Sequence, residues 1–331
     1  MFRLPLSARA ALPNASSSLR AGSRRAYASA PPPAAGAKWA MPLSLAGLAG
    51  LGAWYSLGGF GDVKPIATEG KSALNKDEWR EFTLKEVKPY NHDSSFFIFE
   101  LPKGEDSGLS VASAVVFKSD AVKDDKDKPV IRPYTPTSAP DTPGHIDFLI
   151  KKYKDGKMTE FVHGMQPGDK LSIKGPIPKF PYKANEFEEI ALIAGGSGIT
   201  PMWQIMQQIS ADKSDKTKVT LIYSNKSQAD ILLREEFDAL SKKDERFKIV
   251  YGLDKKDKGL PADTFEGYVT PEVLSKYLPA PAKADKIKIF VCGPPPQVAA
   301  ISGGKGAKGS QGELKGLLAD AGYQPDQVYK F

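Results

Sequence analysis

The stretch Gly195-Gly-Ser-Gly-Ile-Thr-Pro201, preceded by the apolar run Glu189-Ile-Ala-Leu-Ile-Ala194, decides the fold of this chain. The run has the length of a buried strand, and it leads through the glycine-rich turn into a helix-like segment at residues 201–209. Further strand-like runs follow at residues 218–223, 247–251 and 286–292, with a helix-like segment at 232–240. This alternation predicts an α/β doubly wound domain built on a parallel sheet.

The preceding part of the chain has a different pattern. Short β segments at residues 79–87, 95–101, 145–153 and 170–174 are separated by turns rich in Pro, Gly and Asp, which predicts an antiparallel β-barrel. The mixed-charge run 123–128 is interpreted as a solvated loop, and the glycine-rich segment 303–310 as a flexible surface loop. The predicted organisation is a barrel domain at 79–185 followed by the α/β domain at 186–331.

The first part of the chain is predicted to contain a targeting segment and a membrane anchor. Residues 1–38 contain Arg, Ser and Ala but no acidic residue, which is typical of a mitochondrial targeting segment; a disordered basic tail is the alternative. Residues 39–61 carry no charge and have about the ~20 residues that a membrane-spanning helix needs. Trp39 and Trp54 lie toward the ends of this segment, where aromatic rings favour the membrane interface. A single transmembrane anchor and a linker at 62–78 are therefore predicted, in preference to a buried helix.

Composition excludes several classes of function. Of the net charge of +7, six positive charges come from residues that precede the first acidic residue, Asp62, so the rest of the chain carries only +1 and gives no basic face for nucleic acid. Cys292 is the sole cysteine, which excludes an intramolecular disulfide, a Cys-ligated iron–sulfur cluster and a Cys-based zinc site. The three histidines are widely separated, so no metal site is expected.

Two motifs carry the chemistry. In Arg132-Pro-Tyr-Thr-Pro136, Arg132 offers a bidentate fork to a phosphate, Tyr134 a ring face to an isoalloxazine, and Thr135 a hydroxyl on a rigid segment. The glycine-rich turn at 195–198 presents backbone N–H groups to a dinucleotide. Each motif alone is weak, since the pentapeptide could be an ordinary strand end, but together they predict a two-domain, flavin-dependent, nicotinamide-oxidising electron-transfer enzyme.

From about residue 79 to Phe331 the chain resembles the ferredoxin–NADP reductase superfamily, most closely the NADH–cytochrome b5 reductases of the fungal mitochondrial type. The resemblance implies that FAD is bound by Arg132, Pro133, Tyr134, Thr135, Ile150, Lys151, Tyr153, Gly156, Lys157, Met158, Thr159 and Thr200. It implies that NADH is bound by Gly195, Gly196, Ser197, Gly198, Asp254, Cys292, Gly293, Pro294, Pro295 and Phe331. Tyr134, Thr135 and Cys292 would lie beside the reacting rings, and Ser197 replaces the commoner Thr while keeping its hydroxyl.

The same resemblance implies a preference for NADH over NADPH. Asp254 lies just beyond a strand, where a carboxylate binds the adenosine ribose and repels a 2′-phosphate. Lys255 and Lys256 follow at once and weaken this repulsion, and a solvated loop is the alternative interpretation. Cys292 is expected to pack and orient the rings rather than to attack as a nucleophile, the alternative being a buried strand end.

The resemblance also implies a partner, whereas the predicted location comes from the first 61 residues and the steering lysines are chosen because they lie near the flavin segments. The electron acceptor would be cytochrome b5, an acidic haem protein, steered by Lys157, Lys179 and Lys183. We expect a monomer in the mitochondrial outer membrane, with a processed soluble form in the intermembrane space as a further possibility. The alternatives are a reductase of the same superfamily that serves another one-electron acceptor, and a non-catalytic, membrane-tethered binding protein.

Overall fold

The computed structural model describes residues 72–256 and 258–331. The predicted targeting segment at 1–38, the predicted membrane anchor at 39–61 and the linker as far as residue 71 lie outside the described residues. Among the residues that are described, no helix combines the length and the apolar character needed to cross a membrane. The described part of the chain is built on two six-stranded sheets.

The first sheet is antiparallel. Its strands are β1 (Arg80–Pro89), β2 (Ser94–Glu100), β3 (Ser113–Lys123), β4 (Pro129–Tyr134), β5 (His145–Lys151) and β6 (Lys170–Pro178), and helix α1 (Lys157–Gly164) connects β5 to β6. The strand order is β4-β3-β6-β1-β2-β5. Helix α1 was not predicted, because its 8 residues are too few to show a helical period in a segment rich in turn residues.

Buried aromatic rings show that the first sheet is curled around its own core. The ring centroids of Phe117 on β3 and Phe148 on β5 lie 4.7 Å apart, although three strands separate β3 from β5 in the sheet. Phe99 on β2 packs against Phe148 at 5.9 Å, and all three side chains are fully buried. The predicted barrel therefore takes the form of a curled antiparallel sheet. Within the described residues no ladder joins the edge strands β4 and β5.

The second sheet is parallel. Its strands are β7 (Glu189–Gly195), β8 (Lys218–Asn225), β9 (Phe247–Leu253), β10 (Phe265–Glu266), β11 (Ile287–Cys292) and β12 (Val328–Lys330), in the order β10-β9-β8-β7-β11-β12. Its helices are α2 (Ile199–Ala211), α3 (Arg234–Lys243), α4 (Pro271–Tyr277), α5 (Pro295–Ser302) and α6 (Gly316–Asp320). Because every pairing is parallel, all strands end at the same edge of the sheet.

Helices cover both faces of the second sheet. Ile222 of β8 belongs to a cluster with Leu274 of α4 and Leu318 of α6. The next residue, Tyr223, points to the opposite face, where its ring packs 6.2 Å from Phe237 of α3. This arrangement confirms the predicted doubly wound domain, and it places the carboxyl ends of β7, β8, β9 and β11 where ligands of such sheets bind.

Candidate flavin–nicotinamide site

Helix α2 joins the two sequence motifs. Trp203 donates its indole N–H to the Thr137 carbonyl at 3.2 Å, and Gln204 donates its side-chain amide to the Pro136 carbonyl at 3.0 Å. The amide oxygen of Gln204 also accepts the Ser113 N–H at 3.0 Å. The helix that begins in the glycine-rich turn is thereby bonded to the segment that follows Arg132–Thr135. Since all three hydrogen bonds are buried, they hold the two motifs in a fixed relation.

The glycine-rich turn packs directly against the backbone at the end of β11. A Cβ atom on Gly198 would lie 2.5 Å from the Cys292 carbonyl oxygen, which only glycine avoids. Gly196 has a φ of 51°, in the left-handed region that favours glycine. The short helical turn Gly196–Gly198 therefore lies close enough to Cys292 for both to contact one planar ring.

A cavity of about 880 Å³ lies beside this turn, within the usual size range of cofactor sites. The predicted residues that line it are Arg132, Pro133, Tyr134, Thr135, Ile150, Lys151, Tyr153, Gly156, Lys157, Met158, Thr159, Ser197, Gly198, Thr200, Cys292, Gly293, Pro294, Pro295 and Phe331. Gly195, Gly196 and Asp254 do not line it. Sequence reasoning missed an apolar part of the wall, made by Ala114, Val130, Phe148 and Leu149.

The Arg132-Pro-Tyr-Thr segment presents a ring and a free cation to the cavity. The ring of Tyr134 stacks on Phe117, with centroids 4.4 Å apart and planes at 30°, which fixes its orientation. Burial raises the pKa of the Tyr134 phenol, so the hydroxyl remains protonated at neutral pH. The exposed guanidinium of Arg132 donates to its neighbouring Ile131 carbonyl at 2.9 Å and forms no ion pair within the described part of the chain. Its remaining donors suit a phosphate.

Helix α1 brings a second anion-binding element to the cavity. Gly156 is its N-cap, and the Thr159 hydroxyl donates to the Gly156 carbonyl at 2.9 Å while accepting the Tyr153 N–H at 3.2 Å. These bonds fix the turn that starts the helix, and the N-terminal end of a helix favours a pyrophosphate. Lys157 also lines the cavity, but its ammonium is 2.7 Å from Asp125, so part of its charge is neutralised.

Lys151 is engaged differently from the prediction. It lines the cavity, yet its ammonium lies 2.7 Å from Asp93 and 3.0 Å from Asp230, a residue of the second domain. Burial opposes the charge of Lys151, but the hydrogen bonds to both carboxylates outweigh it and hold the pKa of the amine above its ordinary value. His92, Asp93 and Asp230 lie close enough together to bind a metal, but the Lys151 ammonium already supplies the cation between the carboxylates.

Tyr153 and Ser197 connect the two predicted binding segments across the cavity. Their hydroxyl oxygens are 2.6 Å apart, and the Tyr153 side chain remains 45% exposed. The Ser197 hydroxyl that stands in for the commoner Thr is therefore in direct contact with the flavin-side segment. A ligand that spans the two segments would meet this pair.

The carboxyl end of β8 carries polar atoms that lack partners. The Ser224 hydroxyl and both polar atoms of the Asn225 side chain are buried, and no hydrogen bond satisfies them within the described residues. They lie opposite Gly195 of β7 and Leu253 of β9 in the sheet, so Asn225 lies in the sheet between the glycine-rich turn and exposed Asp254. Buried polar groups without partners are uncommon, and a polar ligand that crosses this edge would satisfy them. Sequence reasoning missed both residues, although polar residues after an apolar strand were the available signal.

Cys292 ends β11 at the cavity. Burial raises the pKa of its thiol to about 11, with the Lys305 cation acting in the opposite direction. At neutral pH the side chain is therefore a protonated thiol, which is a poor nucleophile. This protonation state agrees with a packing and orienting role.

Lys305 is a further cavity residue that sequence reasoning missed, because it lies in the glycine-rich segment interpreted as a flexible surface loop. Lys179, which also lines the cavity, was considered only as a steering residue for a partner. Phe331 completes this part of the wall, stacking on Phe290 with ring centroids 5.7 Å apart. The ring of Phe331 is therefore held in place by this packing.

Comparison with known families identifies both halves of the described structure. Residues 81–182 match the family described as Oxidoreductase FAD-binding domain, and residues 192–302 match the family described as Oxidoreductase NAD-binding domain. These segments contain the two sheets almost completely. The cavity between the motifs is lined by residues from both.

Curated relatives and solved structures agree with these matches. The chain is 63% identical over 314 residues to NADH-cytochrome b5 reductase 2 of Mycosarcoma maydis, with 89% of each chain covered. It is 42% identical over 326 residues to the protein of the same name from Phaeosphaeria nodorum, covering 93% of this chain and 95% of that protein. The crystal structure of the cytochrome b5 reductase domain of Ulva prolifera nitrate reductase is 29% identical, with a TM-score of 0.68, covering 79% of this chain and 100% of that chain.

Proposed function

The chain belongs to the NADH-cytochrome b5 reductase family, and from this membership we propose that it is an FAD-dependent reductase that takes a hydride from NADH and passes the electrons singly to cytochrome b5. The observation that carries the proposal is the bonding of the two motifs by Trp203 and Gln204 at one cavity. A flavin bound by the first motif and a nicotinamide bound by the second would share that cavity.

The roles of the residues follow from their positions. Arg132 and the N-terminus of helix α1 would bind the pyrophosphate of FAD, and Tyr134 and Thr135 would contact its ring system. The glycine-rich turn and the Cys292–Pro295 segment would hold the nicotinamide, while Ser224 and Asn225 bind the remainder of the dinucleotide along the sheet edge. When bound, FAD supplies the chemistry that converts a two-electron donor into a source of single electrons.

Hydride transfer needs no acid or base from the protein, so the task of these residues is to orient the two rings and exclude water. The neutral thiol of Cys292 and the neutral phenol of Tyr134 provide polar but uncharged walls. The close packing of Gly198 on the Cys292 carbonyl supports a rigid nicotinamide site. Preorganisation of this kind is the main contribution that a protein makes to such a transfer.

Stopped-flow spectroscopy of the purified protein tests the proposal. Flavin absorbance at about 450 nm should be present, should be bleached by NADH faster than by NADPH, and should return when oxidised cytochrome b5 is added. Absence of flavin, even after addition of FAD, would contradict the proposal and favour the non-catalytic tether. Rapid bleaching by NADH without electron transfer to cytochrome b5 would instead indicate another one-electron acceptor.

The acceptor is proposed to dock near the lysines around the cavity. Lys179 and Lys183 are exposed, whereas the ammonium of Lys157 is already paired with Asp125. Reversing the charge at Lys157, Lys179 and Lys183 together should slow reduction of cytochrome b5 in a salt-dependent way and leave ferricyanide reduction almost intact. Unchanged cytochrome kinetics would rule out this docking surface.

The proposed location rests on the sequence before residue 72. Residues 1–38 would direct the chain to mitochondria, and residues 39–61 would anchor it as a single span in the outer membrane, with a processed form released into the intermembrane space. The reductase would then act at a membrane surface. We also propose that it functions as a monomer.

A further inference from the structure

Two exposed lysines, Lys179 and Lys305, line the cavity that also contains Cys292 and Phe331. The Lys179 carbonyl accepts a hydrogen bond from the Tyr329 hydroxyl, two positions before Phe331. Within the described residues neither ammonium takes part in an ion pair or a side-chain hydrogen bond. Asp124, Asp125 and Asp155 also line the cavity, but the first two accompany Lys157 and the third directly precedes Gly156, all on the flavin side. This leaves a local excess of positive charge where the nicotinamide is expected.

The glycine-rich segment holds Lys305 at the cavity. Lys330 is only 2% exposed, and its ammonium donates to the carbonyl oxygens of Ser302 and Glu313, both at 3.1 Å, and of Gly304 at 3.3 Å. A Cβ on Gly312 would lie 2.5 Å from the Gly304 carbonyl, so the two arms of the segment are in backbone contact. A buried cation and close glycine packing therefore fix the backbone beside Lys305.

The electrostatics of the pair are consistent with this geometry. Although Lys305 is exposed, partial desolvation at the cavity wall and repulsion from Lys179 lower the pKa of its ammonium. The ammonium of Lys305 also acts on the Cys292 thiol at the end of β11. Each lysine is thus close enough to influence charges that appear at the nicotinamide end of the cavity.

The reaction creates such a charge on the substrate. The dihydronicotinamide ring of NADH is neutral, and when it gives a hydride, that is one proton and two electrons, to the flavin, it becomes a pyridinium cation. Positive charges fixed nearby destabilise the cationic product relative to the neutral substrate. Both lysines are exposed to solvent, so this repulsion is partly screened and should weaken further as the salt concentration rises.

Resting on the proposed function, we propose that Lys305 and Lys179 form an electrostatic selector at the nicotinamide site, which weakens binding of NAD⁺ and so promotes product release. The nicotinamide is the part of the dinucleotide on which the pair acts, whereas the adenine half, expected near Asp254, lies outside the cavity. The two lysines therefore distinguish NADH from NAD⁺ by the charge of the nicotinamide ring, while other contacts hold the rest of the nucleotide.

The test compares two ligands that differ in the charged ring. NAD⁺ and ADP-ribose share the adenosine diphosphate ribose moiety, and only NAD⁺ carries the pyridinium. Dissociation constants for both are measured on the oxidised, FAD-loaded protein by the perturbation of its flavin absorbance, at several salt concentrations. The ratio of the two constants isolates the effect of the ring.

We expect Lys305→Met and Lys179→Met each to tighten NAD⁺ binding by about threefold, and the double variant by about tenfold, as for a charge pair separated by several ångströms in a partly screened site. ADP-ribose binding should change little, and Lys305→Arg should retain the wild-type ratio because it keeps the charge. Lys315→Met serves as the control, since Lys315 is exposed and paired with Glu313 at 2.8 Å on the same segment.

The outcomes separate the inference from the proposed function. If the wild-type protein binds FAD and is reduced by NADH, the proposed function stands whatever the variants do. An unchanged ratio of NAD⁺ to ADP-ribose binding in the double variant would overturn the selector. An unchanged ratio together with slower, salt-sensitive reduction of cytochrome b5 would overturn it in favour of acceptor docking by the two lysines.

Discussion

Cys292 shows how burial decides the chemistry of a single residue. Its thiol lies beside the proposed nicotinamide site, where a reactive thiolate would be open to oxidation. The cavity wall instead raises its pKa to about 11. The low reactivity of the Cys292 thiol thus follows from its position in the cavity wall.

Alkylation of the protein by iodoacetamide should therefore be slow at neutral pH. Because the pKa is raised, the thiolate fraction of the folded protein should increase about tenfold for each pH unit up to about pH 11. In the unfolded chain the thiolate fraction should level off once the pH exceeds 9.0, the ordinary pKa of a cysteine thiol. Since Cys292 is the only cysteine, mass spectrometry reports its rate directly. A plateau below pH 8 in the folded protein would show that the thiol is activated.

Asp254 is expected to influence a second property, the choice between NADH and NADPH. It is exposed just after β9, outside the cavity but at the same sheet edge as unsatisfied Asn225. We expect Asp254→Ala to raise kcat/KM for NADPH and lower it for NADH, each by about tenfold, because the repulsion of a 2′-phosphate and the ribose hydrogen bonds are lost together. Steady-state kinetics with both nucleotides measure this.

The control for Asp254→Ala is Asp263→Ala. This substitution removes another carboxylate of the same domain, whose side chain is 46% exposed. That variant should leave the nucleotide preference unchanged. Equal effects of the two substitutions would mean that net charge, rather than contact with the ribose, determines the preference.

Among individual residues, those whose role depends on backbone geometry could be predicted from sequence. The glycine-rich turn between β7 and α2 was predicted because it has a local signature, whereas the packing of Gly198 on Cys292 is seen only in the structure. The partners of Lys151 could not be predicted, because Asp230 is 79 positions away and is brought near only by the docking of the two domains. Lys305 was missed because its glycine-rich sequence predicts a flexible loop. Only the structure shows that the buried Lys330 ammonium bonds to the carbonyl groups of this segment.

At the scale of elements, the ion cluster of Lys151, Asp93 and Asp230 joins β5 and the β1–β2 turn to the segment after β8. The Asn91 side-chain amide donates to the Ala229 carbonyl at 2.9 Å alongside it. Asp230 also accepts the Ser227 hydroxyl at 2.7 Å, so the second domain holds the carboxylate in place. The cluster is therefore a polar contact that helps to fix the two domains relative to each other.

Asp230→Asn should reduce the free energy of unfolding by about 1–2 kcal/mol at pH 7, because a partly buried ammonium loses one charged partner. Burial disfavours the Asp230 carboxylate, but Ser227 and Lys151 outweigh this and lower its pKa from 3.8. A depressed pKa stabilises the fold above pH 3.8, and this contribution is lost as the pH falls through the folded value. The difference between wild type and variant should therefore shrink on acidification.

Chemical denaturation at several pH values measures the effect of Asp230→Asn. Glu188→Gln is the matched control, since Glu188 forms an exposed pair with Lys286 at 2.7 Å and should contribute little to stability. A difference that stays constant down to acidic pH would mean that the ionised carboxylate is not responsible.

The segment between α5 and β12 depends on one buried side chain in a similar way. Lys330→Met should destabilise the fold by about 2–4 kcal/mol, because the carbonyls of Ser302, Gly304 and Glu313 would lose their common donor. Thermal unfolding and protease cleavage within residues 303–315 measure this. Lys315→Met, which removes only an exposed ammonium, should change neither. Stability equal to wild type would show that the carbonyls find other donors.

Helices and strands could be predicted where the pattern of apolar residues extends far enough along the chain to be recognised. The four central parallel strands β7, β8, β9 and β11 and helix α2 were found near their observed limits, because long apolar runs flanked by turns leave few alternatives. The short edge strands β10 and β12 were not predicted. Strand β3 and helix α1 were missed, the first because its second half is polar and exposed, the second because it is short. The curling of the first sheet depends on contacts such as Phe117 with Phe148, which no local pattern specifies.

For the whole molecule, the charge distribution separates the chain into two parts. Residues before Asp62 carry positive charge and a long uncharged run, whereas the remainder is close to neutral and contains both cofactor-binding domains. We therefore expect the reductase chemistry to require only the second part. The first part would determine where that chemistry takes place.

Introducing charge into the proposed anchor tests this division. Leu45→Arg with Leu48→Arg should release the protein from mitochondrial membranes, because each arginine costs about 2.5–3.5 kcal/mol at the centre of a spanning helix. Flavin content and the rate of reduction by NADH should remain at wild-type levels, since both substitutions precede the domains. Alkaline extraction of isolated mitochondria measures the membrane-bound fraction, and the matched variant Leu45→Ile with Leu48→Ile should stay in the pellet. Retention of the arginine variant in the membrane would show that residues 39–61 are not the anchor, and a loss of flavin would show that this segment contributes to the fold of the reductase.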